Sequence, residues 1–166
     1  TDQLCVELMR ADGSVSPSAF HNSVQNTVAG YWSIVQKCTE PATALAAGQD
    51  TVAMALLEAW CHLACQGGSL LMVCYDENWP AHLAAGCGKP AFASAFVLAA
   101  GATENSNARL GRPYRAVPLS SAEWATQFID MPVLSIIPLL AAVAGGNTQQ
   151  TAVPLGKDWL VSLNPI

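Results

Sequence analysis

The chain has 166 residues, of which 52% are hydrophobic and 11% charged, and its formal net charge is −5. That length suffices for one domain with a real core, and the composition is too apolar for a disordered chain. The acidic balance, with no Lys/Arg cluster, argues against a nucleic-acid partner, and so much apolar sequence points to buried strands plus an extensive subunit interface.

The chain opens on a polar Thr1, Asp2 and Gln3 with no basic n-region, so no signal peptide is expected. There is no initiator Met, and the expectation is a single domain over 1–166 that lacks an N-terminal strand of the full gene product. Residues 2–10 predict a short amphipathic helix ended by Asp12 and Gly13. Ser16 as N-cap and Pro17 at the first helical position restart a helix, whose face Phe20, Val24, Val28 and Trp32 runs on as one piece. Gly30 inside it costs about 1 kcal/mol against Ala, which predicts a close packing contact there.

The short apolar run Ala42 to Ala47, stopped by Gly48, predicts a buried strand and a tight turn. Apolar residues at Val52, Ala55, Leu56, Ala59, Trp60 and Leu63 then follow a helical period over 50–66, with Asp50 and Thr51 offering N-cap oxygens. Gln49 therefore sits at a strand-to-helix elbow, where a helix end presents free N–H groups and partial positive charge. A nucleophile suits such a place, but an amide neither attacks a thioester nor titrates.

Gly67 and Gly68 end the helix, and Ser69 to Tyr75 reads as a continuous apolar strand buried on both faces. Strand, helix and buried strand together predict a parallel βαβ unit, with Leu71 and Val73 at the centre of its core. A loop over 76–90, a strand over 91–99, a polar turn over 103–111 and a strand near 114–119 follow. Ser120 and Ser121 are expected to cap a helix that runs, with proline breaks, to about Ala144. The closing segment 151–163 reads as a hairpin arm or edge strand. The longest apolar run, Met131 to Gly146, is broken by Pro132 and Pro138 and is short for a membrane span.

The cysteines lie at 5, 38, 61, 65, 74 and 87, with no CxxC pair. They read as reduced core residues of a cytoplasmic protein. Cys61 and Cys65, four apart on a helix, have the spacing to share a metal, but small buried hydrophobes is the reading adopted, and no metal or cofactor is expected. Asp76 and Glu77 follow a buried strand, as catalytic acids often do, yet paired carboxylates at a loop start are usually solvated. His21 and His62 read as surface or satisfied core residues. Gly67 and Gly68 lack phosphate-loop spacing, and the five scattered Trp residues read as core or interface.

The run Asn26, Thr27, Val28, Ala29, Gly30, Tyr31, Trp32, Ser33, Ile34, then Pro41, then the elbow at 48–51, resembles the N-terminal half of β-ketoacyl synthases, which have the thiolase fold. The resemblance is closest to β-ketoacyl-synthase-like N-terminal domains, on Ser16, Pro17 and Phe20 before the helix and on Leu45 to Asp50 at the elbow. It is strong over about 16–77; beyond that it rests on strand order and on Trp159, Leu160 and Val161. It implies an α/β, thiolase-like half-fold with a mixed, largely parallel sheet flanked by helices. In that register the nucleophilic Cys of the family falls on Gln49, and the two His residues from the family's C-terminal half have no counterpart; His21, His62 and His82 lie before or soon after the elbow.

What the resemblance implies for function is a non-catalytic, chain-length-factor-like protein of fatty-acid, polyketide or aryl-polyene synthesis. It would bind an acyl chain or a ketosynthase, with an acyl carrier protein as a further partner. The alternatives are a malonyl-acyl-carrier-protein decarboxylase working through Gln49 and an acyl-chain binding module. Gly48, Gln49, Asp50 and Asn26 are the candidate acyl or partner site, with Thr51 adjacent. A dimer, with itself or with a ketosynthase, is expected across strand 42–47, with Thr43, Leu45 and Ala47 from the strand and Tyr31 and Trp32 from the preceding helix at the interface.

Overall fold

The structure, a computed structural model, describes residues 2–77, 91–116, 131–146 and 149–166. The expected caps at Ser120 and Ser121, along with His82, Cys87, Trp79 and Trp124, lie outside those residues. The chain divides into two compact units, 1–46 and 47–166.

The first unit is helical. Helix α1 spans Asp2–Leu8. Helix α2 spans Pro17–His21, with the Ser16 hydroxyl accepting from the Ala19 N–H as predicted. The single helix expected from Pro17 to Trp32 is instead broken at 22–26, and α3 covers only Thr27–Gln36. Short polar side chains explain the break, because they bind backbone groups that a continuous helix would need. The Ser23 hydroxyl donates to the Phe20 carbonyl (2.7 Å), Thr27 donates to the His21 carbonyl (2.8 Å), and the Tyr31 hydroxyl donates to the Asn22 amide oxygen (2.7 Å). Lys37 ends α3 in the left-handed region at φ 52°, and the Cys38 N–H closes back on the Ser33 carbonyl. The close contact expected at Gly30 is not there: a Cβ added to it would meet nothing within 4 Å.

Residues 42–47 form no strand, and all but Leu45 are exposed. Alanine fills four of these six positions. Alanine is a poor strand former, and a strand with no neighbour to pair is not stable alone. The dimer expected across this segment therefore lacks its strand.

The second unit is built on helix α4, Thr51–Gln66. Its stripe of Val52, Ala53, Leu56 and Ala59 is buried, close to the predicted period. Gly67 stops it at φ 71°, a conformation open to a residue without Cβ. Strand β1, Ser69–Asp76, follows, and it pairs with β2, Phe92–Ala99, in antiparallel register from Ser69 opposite Ala99 to Asp76 opposite Phe92. Every strand pairing among the described residues is antiparallel, so the expected parallel unit is not formed here. With no strand at 42–47 there is nothing for β1 to cross over to, and it pairs with the strand that comes next.

Among the described residues the β1–β2 ribbon is covered on one side only. Met72 and Cys74 point into the core, whereas Leu71, Val73 and Tyr75 are 47%, 50% and 48% exposed. The expectation that Leu71 and Val73 are fully buried is wrong, because a strand alternates its side chains between faces whatever their polarity. A 3-10 helix over Pro132–Ile136 continues into α5, Ile137–Ala144. The 3-10 helix buries apolar residues against α4 and β1, and α5 packs against the strand Thr151–Pro154, with Ile136 and Leu139 wholly inaccessible.

The remaining strands form a second sheet. The hairpin of β5, Thr151–Pro154, and β6, Trp159–Asn164, places β6 at the centre. Along its other edge run β3, Arg109–Leu110, and β4, Tyr114–Arg115. Val153, Leu155, Val161 and Leu163 complete the core with α4, the ribbon and α5.

Two measurements test this packing. Leu139→Ala should cost about 2–5 kcal/mol through lost burial and a residual cavity, and Leu71→Ala under about 1 kcal/mol, in denaturant titrations. Burial pushes the Cys74 thiol up from 9.0 to about 11, so the fold favours the neutral thiol. Its contribution to stability is fully present below pH 9.0 and is lost as pH rises through about 11. Stability curves across that window should fall less steeply for Cys74→Ala than for the parent chain.

Candidate functional site

The elbow lies wholly in the second unit. Gly48–Asp50 forms one 3-10 turn, and Gly48 takes the left-handed conformation at φ 57° that a side chain would make costly. Gln49 at its middle is exposed, and α4 begins immediately after Asp50. The predicted place of Gln49, at the mouth of a helix, is therefore found, although the segment leading into it is irregular chain and not a strand.

The elbow is held by Thr51 and not by a cap on Asp50. The Thr51 hydroxyl accepts the Ala47 N–H at 2.9 Å and donates to the Gly48 carbonyl at 2.7 Å, so one side chain spans the turn. Asp50, at the N-cap position, makes no side-chain cap hydrogen bond. Its carboxylate turns to Arg115, at 3.7 Å, and the Arg115 guanidinium lies over the Trp159 ring, 5.2 Å from its centre. Asp50 and Arg115 are 39% and 68% exposed, so solvent screens the pair. Such pairs are worth about 0–1 kcal/mol and orient more than they stabilise.

Arg115 reaches this place through an irregularity that the sequence does not announce. In β3, Arg109 pairs with Asn164 and Leu110 with Leu163, whereas in β4 Tyr114 pairs with Leu160 and Arg115 with Trp159. The register slips by one residue between them, which is a bulge. Without it Arg115 would lie on the face of Arg109. With it Arg115 shares the face of Trp159, Val161 and Leu163. The β5–β6 turn closes the other side: a Cβ added to Gly156 would lie 3.7 Å from the Gln49 carbonyl oxygen.

Of the residues singled out in the sequence, Ala47, Gly48, Gln49, Asp50 and Thr51 come together in this unit. Asn26, Tyr31, Trp32, Thr43 and Leu45 belong to the first unit. Asn26 precedes α3, makes no side-chain cap bond and is exposed; Tyr31 and Trp32 are 50% and 52% exposed. Asp76 accepts the Glu77 N–H at 2.9 Å, a local turn contact. His21 ends α2 and His62 is half-buried on α4. Among the described residues no group of three or more His, Cys, Asp or Glu is placed to hold a metal. No helix among them is long and apolar enough to cross a membrane.

Thr51→Val should loosen the elbow by about 1–2 kcal/mol, since both hydrogen bonds go while the shape stays. Thr51→Ser should keep most of that stability. Thermal unfolding of the three proteins checks the order.

The fold is found again in a solved chain of a ketosynthase (ApeO) in complex with its chain length factor (ApeC) from Xenorhabdus doucetiae, with a TM-score of 0.70 and 20% identity. The match covers 98% of the present chain and 63% of that one. Comparison with curated protein sequences gives no match. The family model described as the β-ketoacyl synthase N-terminal domain matches residues 3–159, and the chain belongs to that family.

Proposed function

We propose that this protein is a non-catalytic, chain-length-factor-like subunit that binds a ketosynthase or the acyl chain such an enzyme extends. The observation that carries the reading is Gln49: the elbow that would present a nucleophile presents an amide. An amide has no lone pair basic enough to open a thioester, but it both donates and accepts hydrogen bonds. It is suited to holding a carbonyl or carboxylate at the mouth of α4 without forming a bond to it.

Partnering is supported by apolar surface that the first unit does not bury within itself. Helix α3 has no charged residue between Thr27 and Gln36, and Val28, Tyr31, Trp32, Ile34 and Val35 are all at least 50% exposed. A helix apolar on every side is normally buried. The solved complex supplies the kind of partner, a ketosynthase paired with a chain length factor. Fatty-acid, polyketide or aryl-polyene chains are the substrate class we assign, as the sequence resemblance implies. One half of a thiolase-type unit is the corresponding fold assignment.

The test is a condensation assay with acyl- and malonyl-carrier protein. The purified chain should form no C–C bond, and Gln49→Cys should not restore synthesis. C–C bond formation by the chain alone would overturn the reading. Acetyl-carrier protein appearing from malonyl-carrier protein, and vanishing in Gln49→Ala, would replace it with a decarboxylase.

A further inference from the structure

Cys61 and Cys65 lie on the opposite side of α4 from its buried stripe, and both are free and exposed. The core role expected for them does not hold. Cysteine is among the residues most often buried, and Cys74 shows that ordinary role in this chain. Two thiols on the solvent side of one helix need another account.

Their spacing supplies it. Residues four apart on a helix stand one above the other, with Cβ atoms about 5–6 Å apart. Two thiolates at that separation can turn toward a single soft ion between them. The surroundings select which ion. Zinc in a structural site takes four protein ligands, and among the described residues no third His, Cys, Asp or Glu joins the pair. Thiolate donors favour copper(I), a closed-shell ion that is satisfied by two sulfurs in line. We propose that Cys61 and Cys65 form a two-thiolate site for copper(I), formed by the outer face of α4 and independent of the function assigned to the elbow. Binding releases the protons of whichever thiols are neutral, one sulfur–copper bond forming at each residue, with no change in oxidation state.

The full chain is titrated anaerobically with copper(I) in the presence of a coloured copper(I) chelator. The parent should withdraw copper from the chelator, and Cys61→Ser/Cys65→Ser should lose that uptake. A relocated thiol, Cys65→Ser/Gln66→Cys, keeps the thiol count but turns one sulfur away from the other, and should not regain it. Uptake unchanged in the double variant, or regained by the relocated thiol, would overturn the proposal. A readout on the parent alone guards against misfolded variants. Copper(I) should shield Cys61 and Cys65 from alkylation, mapped by peptide mass, while the exposed Cys5 still reacts. Equal labelling of Cys61 and Cys65 with and without copper(I) would also overturn it.

Discussion

The second unit depends on one contact, the seating of the α4 stripe against the 3-10 helix Pro132–Ile136. Val52, Ala53, Ile136 and Leu139 are all fully inaccessible, and Leu155 and Leu163 of the second sheet close the same core around them. Small Ala53 lets the helix approach closely, and branched Val52 and Ile136 fill the gap in few rotamers. Pro132 opens a 3-10 turn there and Pro138 opens α5, so the chain bends around α4 where a single long helix would have crossed it. Fixing α4 in this way fixes the elbow at its start, because the same 3-10 segment packs against the Gly48–Asp50 turn.

From that frame the elbow inherits a defined direction, and the local bonds then set its shape. Gly48 permits the left-handed step, Thr51 ties the two carbonyl and amide groups on either side of it, and Arg115 holds the Asp50 carboxylate outward. The three act at different ranges. The Thr51 bonds are short and local, whereas the Arg115 pair is screened and depends on a bulge formed by residues far away in sequence. The elbow's shape is therefore largely coded within 47–51, and its electrostatic surroundings are coded by the fold.

This division also explains what could be read from residues alone. Helix α4, its Gly67 stop and the strands at 69–76 and 92–99 were legible, because periodicity and glycine signal them locally. The position of Gln49 was legible for the same reason. Which face of β1 is covered was not, since Leu70 to Tyr75 is apolar throughout and alternation leaves no mark in such a run. The absence of a strand at 42–47 is not legible in the segment itself, because pairing is decided by neighbours. The break between α2 and α3 turns on side chains such as Ser23 and Thr27, whose bonds to the backbone compete with the helix. Arg115 carried no signal, because only the one-residue slip in register brings it to Trp159 and Asp50.

The geometry of the elbow bears on chemistry as well. A helix N-terminus lowers the energy of negative charge nearby, by about 0.3–1 kcal/mol at an exposed position. For a thiol that field would favour the thiolate and raise reactivity. For the neutral Gln49 side chain it can only orient a dipole, with no ionised state to favour. An anionic or carbonyl-bearing group brought to the same place by another molecule, in contrast, would feel both the field and the amide N–H donors of Gln49. In the reading we propose, the elbow is therefore better matched to receiving an oxygen than to attacking a carbonyl carbon. Under the proposed function, that match would hold whether the oxygen belonged to an acyl chain or to a partner's backbone, because the helix field and the amide donors act on either.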